Sequence, residues 1–157
     1  MPTATIAQIK KQLHDQTPAQ LLALCLALAK YKKENKEVLA YLLFQAHDES
    51  NYIQQVKAEV ALLFEDINQN STFFIKKSLR KIVRVVHKYS KFSGKPVTAI
   101  ELMLFFCSQL KHSDIDYRST LAIAAIYQQQ LKKIQKEIAK LHEDLQFDYE
   151  QELEALY

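Results

Sequence analysis

The chain of 157 residues contains a single glycine, Gly94, and only three prolines. Sandwiches and barrels of β-strands need glycine and proline in many tight turns. Nucleotide-binding loops need a cluster of glycines that lets the backbone approach phosphate. The scarcity of glycine therefore excludes these classes and favours a chain that is nearly all helical.

The composition agrees with a helical chain that has one hydrophobic core. Ala, Leu, Lys, Gln and Glu, all good or adequate helix formers, supply 81 of the 157 residues. Hydrophobic residues make up 48% of the chain and charged residues 25%, with a net charge of +3. We predict one all-α domain, 1–157, of about seven helices packed as antiparallel hairpins. Whether the hairpins stack into a short α-α superhelix is left open.

Helical periodicity and the residues that begin and end helices predict the elements. They cover about 3–15, 18–31, 36–47, 49–69, 72–92, 98–111 and 119–145, and the acidic segment 143–157 either continues the last helix or forms an extension. The run Leu21–Ala29 is apolar all round, which is typical of a central buried helix. Gly94, followed by Pro96, is predicted to end the fifth helix in the left-handed conformation.

Three positions are predicted to begin helices. Thr17 and Gln20 form a capping-box pattern before the second helix, and Thr98 and Glu101 form another before the sixth. Asn35 is predicted to cap the third helix.

We expect no secretory signal at the start of this sequence. Its start, MPTATIAQIKKQLHDQ, lacks the apolar core that follows the basic start of a secretory signal. The most apolar run, 19–29, is about half the roughly 20 residues that span a bilayer. Cys25 and Cys107 lie in apolar segments and are expected to be buried free thiols, with a disulfide between them left open. We expect a cytoplasmic protein that does not insert into membranes.

Three stretches carry a resemblance to a known family. They are LCLALAKYKKENKEVLAYLLFQAHDE (24–49), KKSLRKIVRVVHKY (76–89) and LKKIQKEIAKLHEDLQFDYEQELEAL (131–156). Together they resemble an uncharacterised all-helical bacterial family of the Bacteroidetes type, which has no assigned function. The resemblance implies a bacterial, helical, cytoplasmic protein and transfers no functional residues.

Charge is segregated along the chain. No acidic residue occurs between Asp66 and Glu101, an interval with eight Lys and Arg residues. Seven of these basic residues lie on the helix 72–92. Together with one histidine, they occupy about 140° of a helical wheel. They form the cationic face: Lys76, Lys77, Arg80, Lys81, Arg84, His87, Lys88 and Lys91.

The cationic face has three interpretations. It is a solvated helix surface, or it is neutralised by the acidic segment 143–157, or it binds a partner. We favour a non-enzymatic protein-interaction or scaffold module that uses this face for an unknown protein partner or polyanion. The alternative is a nucleic-acid-binding protein that uses the same face.

Catalytic and metal-binding patterns are weak. The spacing of Arg80 and His87 is similar to the arginine–histidine motif of HEPN-type helical ribonucleases, which remains a remote alternative. The segments 47–49 and 142–144 each join one histidine to acids, without the spacing of a chelating motif. We therefore predict no enzyme, no cofactor and no metal site.

The helix 119–145 carries a heptad-like seam. Its residues recur at spacings of three and four: Tyr127, Leu131, Ile134, Ile138, Leu141 and Leu145. Such a seam packs against the helices of the same chain or mediates a homodimer. We treat it as a candidate interface.

Overall fold

The computed structural model of the protein describes residues 3–157. These residues form eight helices joined by short connections, and they contain no strand. The helices are α1 (Ile6–His14), α2 (Pro18–Tyr31), α3 (Lys33–Phe44), α4 (Glu49–Glu65), α5 (Thr72–Ser93), α6 (Pro96–His112), α7 (Leu121–Ile138) and α8 (Glu143–Glu154). The all-helical prediction is confirmed. There is one more helix than expected, because the predicted last helix ends at Ile138 and the acidic segment forms a helix of its own.

The chain divides into two compact units, an N-terminal unit, Met1–Phe44, and a C-terminal unit, Gln45–Tyr157. In the C-terminal unit, α6 contacts α4, α5, α7 and α8. Eight of its 17 residues are buried, among them Leu102, Phe106 and Leu110, which are fully shielded from solvent. The central buried helix is therefore α6.

The prediction that the second helix is the buried one is wrong. None of the residues of α2 is buried, and Leu22 and Leu28 keep 62% and 61% of their surface exposed. The apolar residues surround the whole helix, whereas its neighbour in the N-terminal unit, α3, contacts only part of that circumference. Cys25 on α2 is likewise exposed, contrary to prediction, while Cys107 on α6 is buried, and both are free thiols.

Two predicted helix boundaries are confirmed by their backbone geometry. Thr17 accepts a hydrogen bond from the Gln20 amide at 3.3 Å and donates its own amide to Gln20 Oε1 at 2.8 Å, which completes the capping box. Gly94 ends α5 with φ = +67°, in the left-handed region that favours glycine.

Two other predicted caps are wrong. Asn35 lies inside α3, which begins at Lys33, and its side-chain amide donates to the Leu28 carbonyl at 2.9 Å. Thr98 lies inside α6, because Pro96 occupies the first turn and needs no amide partner there. The Thr98 hydroxyl is fully buried and donates instead to Glu49 Oε1.

None of the helices within residues 3–157 combines the length and the apolar character that crossing a membrane requires.

Candidate functional site

The cationic face lies on α5, a helix whose two sides differ sharply. Leu79, Ile82 and Val86 are buried on one side, at the helical spacing that directs them into the C-terminal unit. Of the basic side chains on the other side, Lys76 and Lys88 are half-buried and Lys77, Arg80, Lys81, Arg84 and Lys91 are exposed. The predicted amphipathic helix is confirmed.

Four of these bases line a groove between α5 and α7, which we call the α5–α7 groove. Lys76, Lys77, Arg80 and Arg84 form its basic wall, and its volume is about 710 Å³. The lining holds no acidic residue. Five apolar side chains and two glutamines complete it: Phe73, Val83, Ala122, Ala125, Ile126, Gln129 and Gln130. Four basic side chains therefore lie along one wall, and the rest of the lining is apolar except for the two glutamines.

A second groove, which we call the lysine groove, lies between α7 and the end of α5 with the start of α6. Its volume is about 440 Å³. Five lysines line it, Lys91, Lys95, Lys133, Lys136 and Lys140, together with a single acid, Glu137. Lys140 pairs with Glu137 at 2.6 Å and Lys95 pairs with Glu49 at 2.8 Å, so two of the five lysine charges are neutralised locally.

The sequence analysis missed the contribution of α7 to this surface. Lys133 and Lys136 share a side of α7, and Lys140 follows four residues later, two positions beyond the end of the helix. That regularity was visible in the sequence. The sequence alone did not indicate that this side of α7 would lie beside the cationic face of α5.

Most of the cationic face has no acidic partner inside the chain. Within residues 3–157, none of Lys76, Lys77, Arg80, Lys81 and Arg84 forms an ion pair. The Arg84 Nε donates to the Arg80 carbonyl at 3.3 Å, one helical turn away. Lys91 forms none either, so six positive charges of the cationic face remain uncompensated by carboxylates within the described residues.

Lys88, on the cationic face, and Lys95, just beyond it, have internal contacts. The Lys88 ammonium lies 4.5 Å from the centre of the Tyr89 ring. Lys95 pairs with Glu49 at 2.8 Å, and Ser93 and Thr98 donate hydroxyl hydrogen bonds to the same carboxylate. These contacts hold the turn between α5 and α6 against the first turn of α4.

The acidic segment lies against α6 and α7. The Tyr149 hydroxyl donates to Glu101 at 3.0 Å, and Glu101 pairs with Lys57 at 2.6 Å. Burial, and then the charge of Glu101, raise the pKa of Tyr149 to about 12. The Tyr127 hydroxyl donates to the Leu156 carbonyl at 2.8 Å. The acids of α8 pair with none of the six uncompensated bases, so the interpretation that they neutralise the cationic face is wrong.

His87 is half-buried at the edge of the lysine groove. Its Nε2 lies 2.9 Å from Gln130 Oε1 and 3.1 Å from Lys133 Nζ. Burial, and then the Lys133 charge, lower the pKa of His87, against the opposing effect of the Gln130 hydrogen bond. Arg80 lines the other groove. The two residues of the ribonuclease-like spacing are therefore not brought together at one cavity.

The seam on α7 is occupied by the chain itself. Tyr127, Leu131, Ile134 and Ile138 are each at most 2% exposed, because α7 packs on α6 and α5 in the C-terminal unit. Leu141 is half-buried and Leu145 is exposed, beyond the end of α7. The buried part of the seam offers no surface to a second copy, which corrects the prediction of a homodimer through 119–145.

The two histidine–acid segments, 47–49 and 142–144, supply helix caps. Asp48 caps α4 by accepting from the Asn51 amide at 3.1 Å, and His142 caps α8. Burial raises the pKa of the Cys107 thiol to about 12, which disfavours the nucleophilic thiolate. Across residues 3–157, no three His, Cys, Asp or Glu side chains are placed to share a metal ion.

Comparisons with protein-family models, curated proteins and solved structures find no match to this chain.

Proposed function

We propose that the chain is a non-enzymatic interaction module that binds an acidic, amphipathic segment of a partner protein in the α5–α7 groove. The observation that carries the proposal is the lining of that groove. Four bases stand along one wall, and apolar side chains with two glutamines complete the lining, without an acid. A partner segment with carboxylates on one side and apolar side chains on the other complements both parts.

The electrostatic part of the proposal rests on the absence of internal partners. Arg80 and Arg84 are exposed and form no ion pair within the described chain. Bringing a carboxylate to them does not require breaking an existing ion pair. Arginine suits this task because its planar guanidinium accepts a carboxylate in two parallel hydrogen bonds.

The apolar part of the groove favours a protein segment over nucleic acid. Val83 and Ile126 contribute to the lining, and Phe73 is the one aromatic ring there on which a base could stack. From Lys76 to Arg84 the helix rises about 12 Å. That length matches about eight residues of a partner helix, with two or three apolar side chains pointing into the groove.

Nucleic-acid binding is the second candidate, because the lysine groove extends the cationic surface. Five lysines and no arginine line that groove, and Lys95 and Lys140 among them already pair with carboxylates. A lysine ammonium group lacks the fixed, planar set of donors of an arginine guanidinium group, so lysines favour loose contacts with phosphates. The affinity of such contacts falls steeply as the salt concentration rises.

The test compares three labelled probes by fluorescence anisotropy. The first is a helical peptide of Leu and Glu with Leu at spacings of three and four, the second is poly-glutamate, and the third is a single-stranded RNA. We expect the amphipathic peptide to bind more tightly than the other two, because it alone satisfies both parts of the groove.

The decisive variant is the double charge reversal Arg80→Glu with Arg84→Glu. It should weaken peptide binding by about tenfold or more, since each lost pair contributes about 1 kcal/mol near a surface. The matched control is Lys10→Glu with Lys11→Glu on α1, which changes net charge equally. RNA binding that exceeds peptide binding and collapses with salt would favour the second candidate. Equal losses in the variant and the control would contradict both.

A further inference from the structure

The lysine groove gathers positive charges that the chain itself does not compensate. Two of its five lysines pair with carboxylates, whereas Lys91, Lys133 and Lys136 form no ion pair within residues 3–157. Lys91 comes from the end of α5 and the other two from α7. Because like charges repel, bringing these ammonium groups to one cavity is unfavourable until an anion enters it.

A histidine and a buried glutamine fix one of these lysines in the groove. His87 Nε2 lies 3.1 Å from Lys133 Nζ and 2.9 Å from Gln130 Oε1. Gln130 is 2% exposed, so it holds the imidazole at a defined point between α5 and α7. The contact with His87 therefore gives the Lys133 ammonium a preferred position at the groove.

We propose that the lysine groove binds a compact oligophosphate, which it recognises through the phosphate groups. Three uncompensated lysines suit an anion with several negative charges better than a single carboxylate, and a lysine binds phosphate as a point charge. The volume of the groove, about 440 Å³, falls in the range of about 300–1,000 Å³ that is usual for small-molecule sites. The inference is independent of the proposed peptide site, which lies in the α5–α7 groove.

The rest of the lining favours a ligand without a base. Between the lysines stand the small residues Ser90, Gly94 and Ala99, and no phenylalanine, tyrosine or arginine lines the groove. Bases gain affinity by stacking on aromatic rings or on guanidinium groups. His87 is the one aromatic ring of the lining, and Gln130 and Lys133 already contact its Nε2 edge. The phosphate groups are thus the part of a ligand that this groove can recognise.

Isothermal titration of the full chain with inorganic tripolyphosphate, at low ionic strength and neutral pH, tests the inference. We expect one bound anion for each chain. The double variant Lys133→Gln with Lys136→Gln should weaken binding by about tenfold or more. The matched control is Lys77→Gln with Lys81→Gln, which removes two exposed lysines of α5 that do not line the lysine groove. Its loss should stay below about threefold, and circular dichroism checks that both variants remain folded.

His87 supplies a readout from inside the groove. Burial, and then the Lys133 charge, lower its pKa in the chain without ligand. A bound anion offsets the Lys133 charge and favours the protonated imidazole, so tripolyphosphate should raise the pKa of His87. An NMR titration of the imidazole protons measures this, with the His87 signal assigned by its loss in His87→Gln. The other four histidines of the chain lie outside the groove, and their pKa values should change less.

ATP and a single-stranded RNA show whether the phosphates of a nucleotide are preferred. Both should bind no more tightly than tripolyphosphate, because the lining offers no free ring for a base. Tighter binding of either would overturn the inference in favour of a nucleotide or nucleic-acid site. Equal losses in the two lysine variants, an unchanged His87 titration at saturation, or no binding at millimolar tripolyphosphate would also overturn it. None of these outcomes bears on the peptide site in the α5–α7 groove.

Discussion

The Glu49 carboxylate should contribute measurably to the stability of the C-terminal unit, and Glu49→Gln tests this. Its Oε1 accepts hydrogen bonds from Ser93 and Thr98, each at 2.5 Å, and its Oε2 pairs with Lys95 at 2.8 Å. Glutamine keeps the size of the side chain and one acceptor oxygen, so the substitution removes the charge with little change in packing.

The magnitude follows from which of these bonds depend on charge. A hydrogen bond to a charged acceptor contributes about 1 kcal/mol more than a neutral one. Two hydroxyls are affected, and one of them, Thr98, is fully buried. The Lys95 side chain is 52% exposed, so its ion pair adds little. We therefore expect Glu49→Gln to lower the free energy of unfolding by about 2 kcal/mol.

Urea unfolding followed by circular dichroism measures the effect. Glu59→Gln is the control, since Glu59 is exposed on the same helix and forms no ion pair within the described chain. The double variant with Thr98→Val should show a coupling energy of about 1 kcal/mol, separate from any effect of charge at the start of α4. A Glu49→Gln variant within about 0.5 kcal/mol of the control would refute the reasoning.

Three further outcomes follow from single side chains. Gly94→Ala should cost about 1 kcal/mol in the same urea assay, because φ is +67° while no atom lies within 4 Å of the added Cβ; an unchanged midpoint would contradict this. The pKa of His87 is lowered from 6.5 in the folded chain, so below about pH 6.5 the unfolded chain binds more protons at His87 than the folded chain does. The free energy of unfolding should therefore decline as the pH falls through that range, and it should decline less in His87→Gln. Equal pH profiles of the two proteins would exclude His87 as the cause. Cys25 should react with a thiol reagent in the folded protein and Cys107 only after unfolding, as mass spectrometry of labelled peptides would show; equal labelling would contradict the burial of Cys107.

The features that were predicted correctly depend on interactions between residues close together along the chain. The range of α5, its two chemically distinct sides and the left-handed residue at Gly94 follow from helical periodicity and backbone sterics. The Thr17 cap is predicted for the same reason, because its hydrogen bonds join residues three apart.

Properties that depend on which helices meet could not be predicted. The α2 and α6 segments are both strongly apolar, and periodicity alone does not decide which is surrounded by other helices. Thr98 has the pattern of a cap, but its hydroxyl bonds Glu49, which is 49 residues distant. The lysine groove likewise depends on α7 lying beside α5. These contacts are non-local, and a single sequence carries little information about them.

Because Tyr127 donates a hydrogen bond to the Leu156 carbonyl, the C-terminal unit cannot finish folding before residue 156 has been synthesised. Tyr127 is 1% exposed, and its acceptor is the carbonyl of a residue that is itself 6% exposed and lies 29 positions further along the chain. Until residue 156 has left the ribosome, the phenol of α7 has no such acceptor, and burying it unpaired is costly. During synthesis the N-terminal unit is therefore available well before the C-terminal unit can close, and its leucines are the first extended apolar surface that the nascent chain presents.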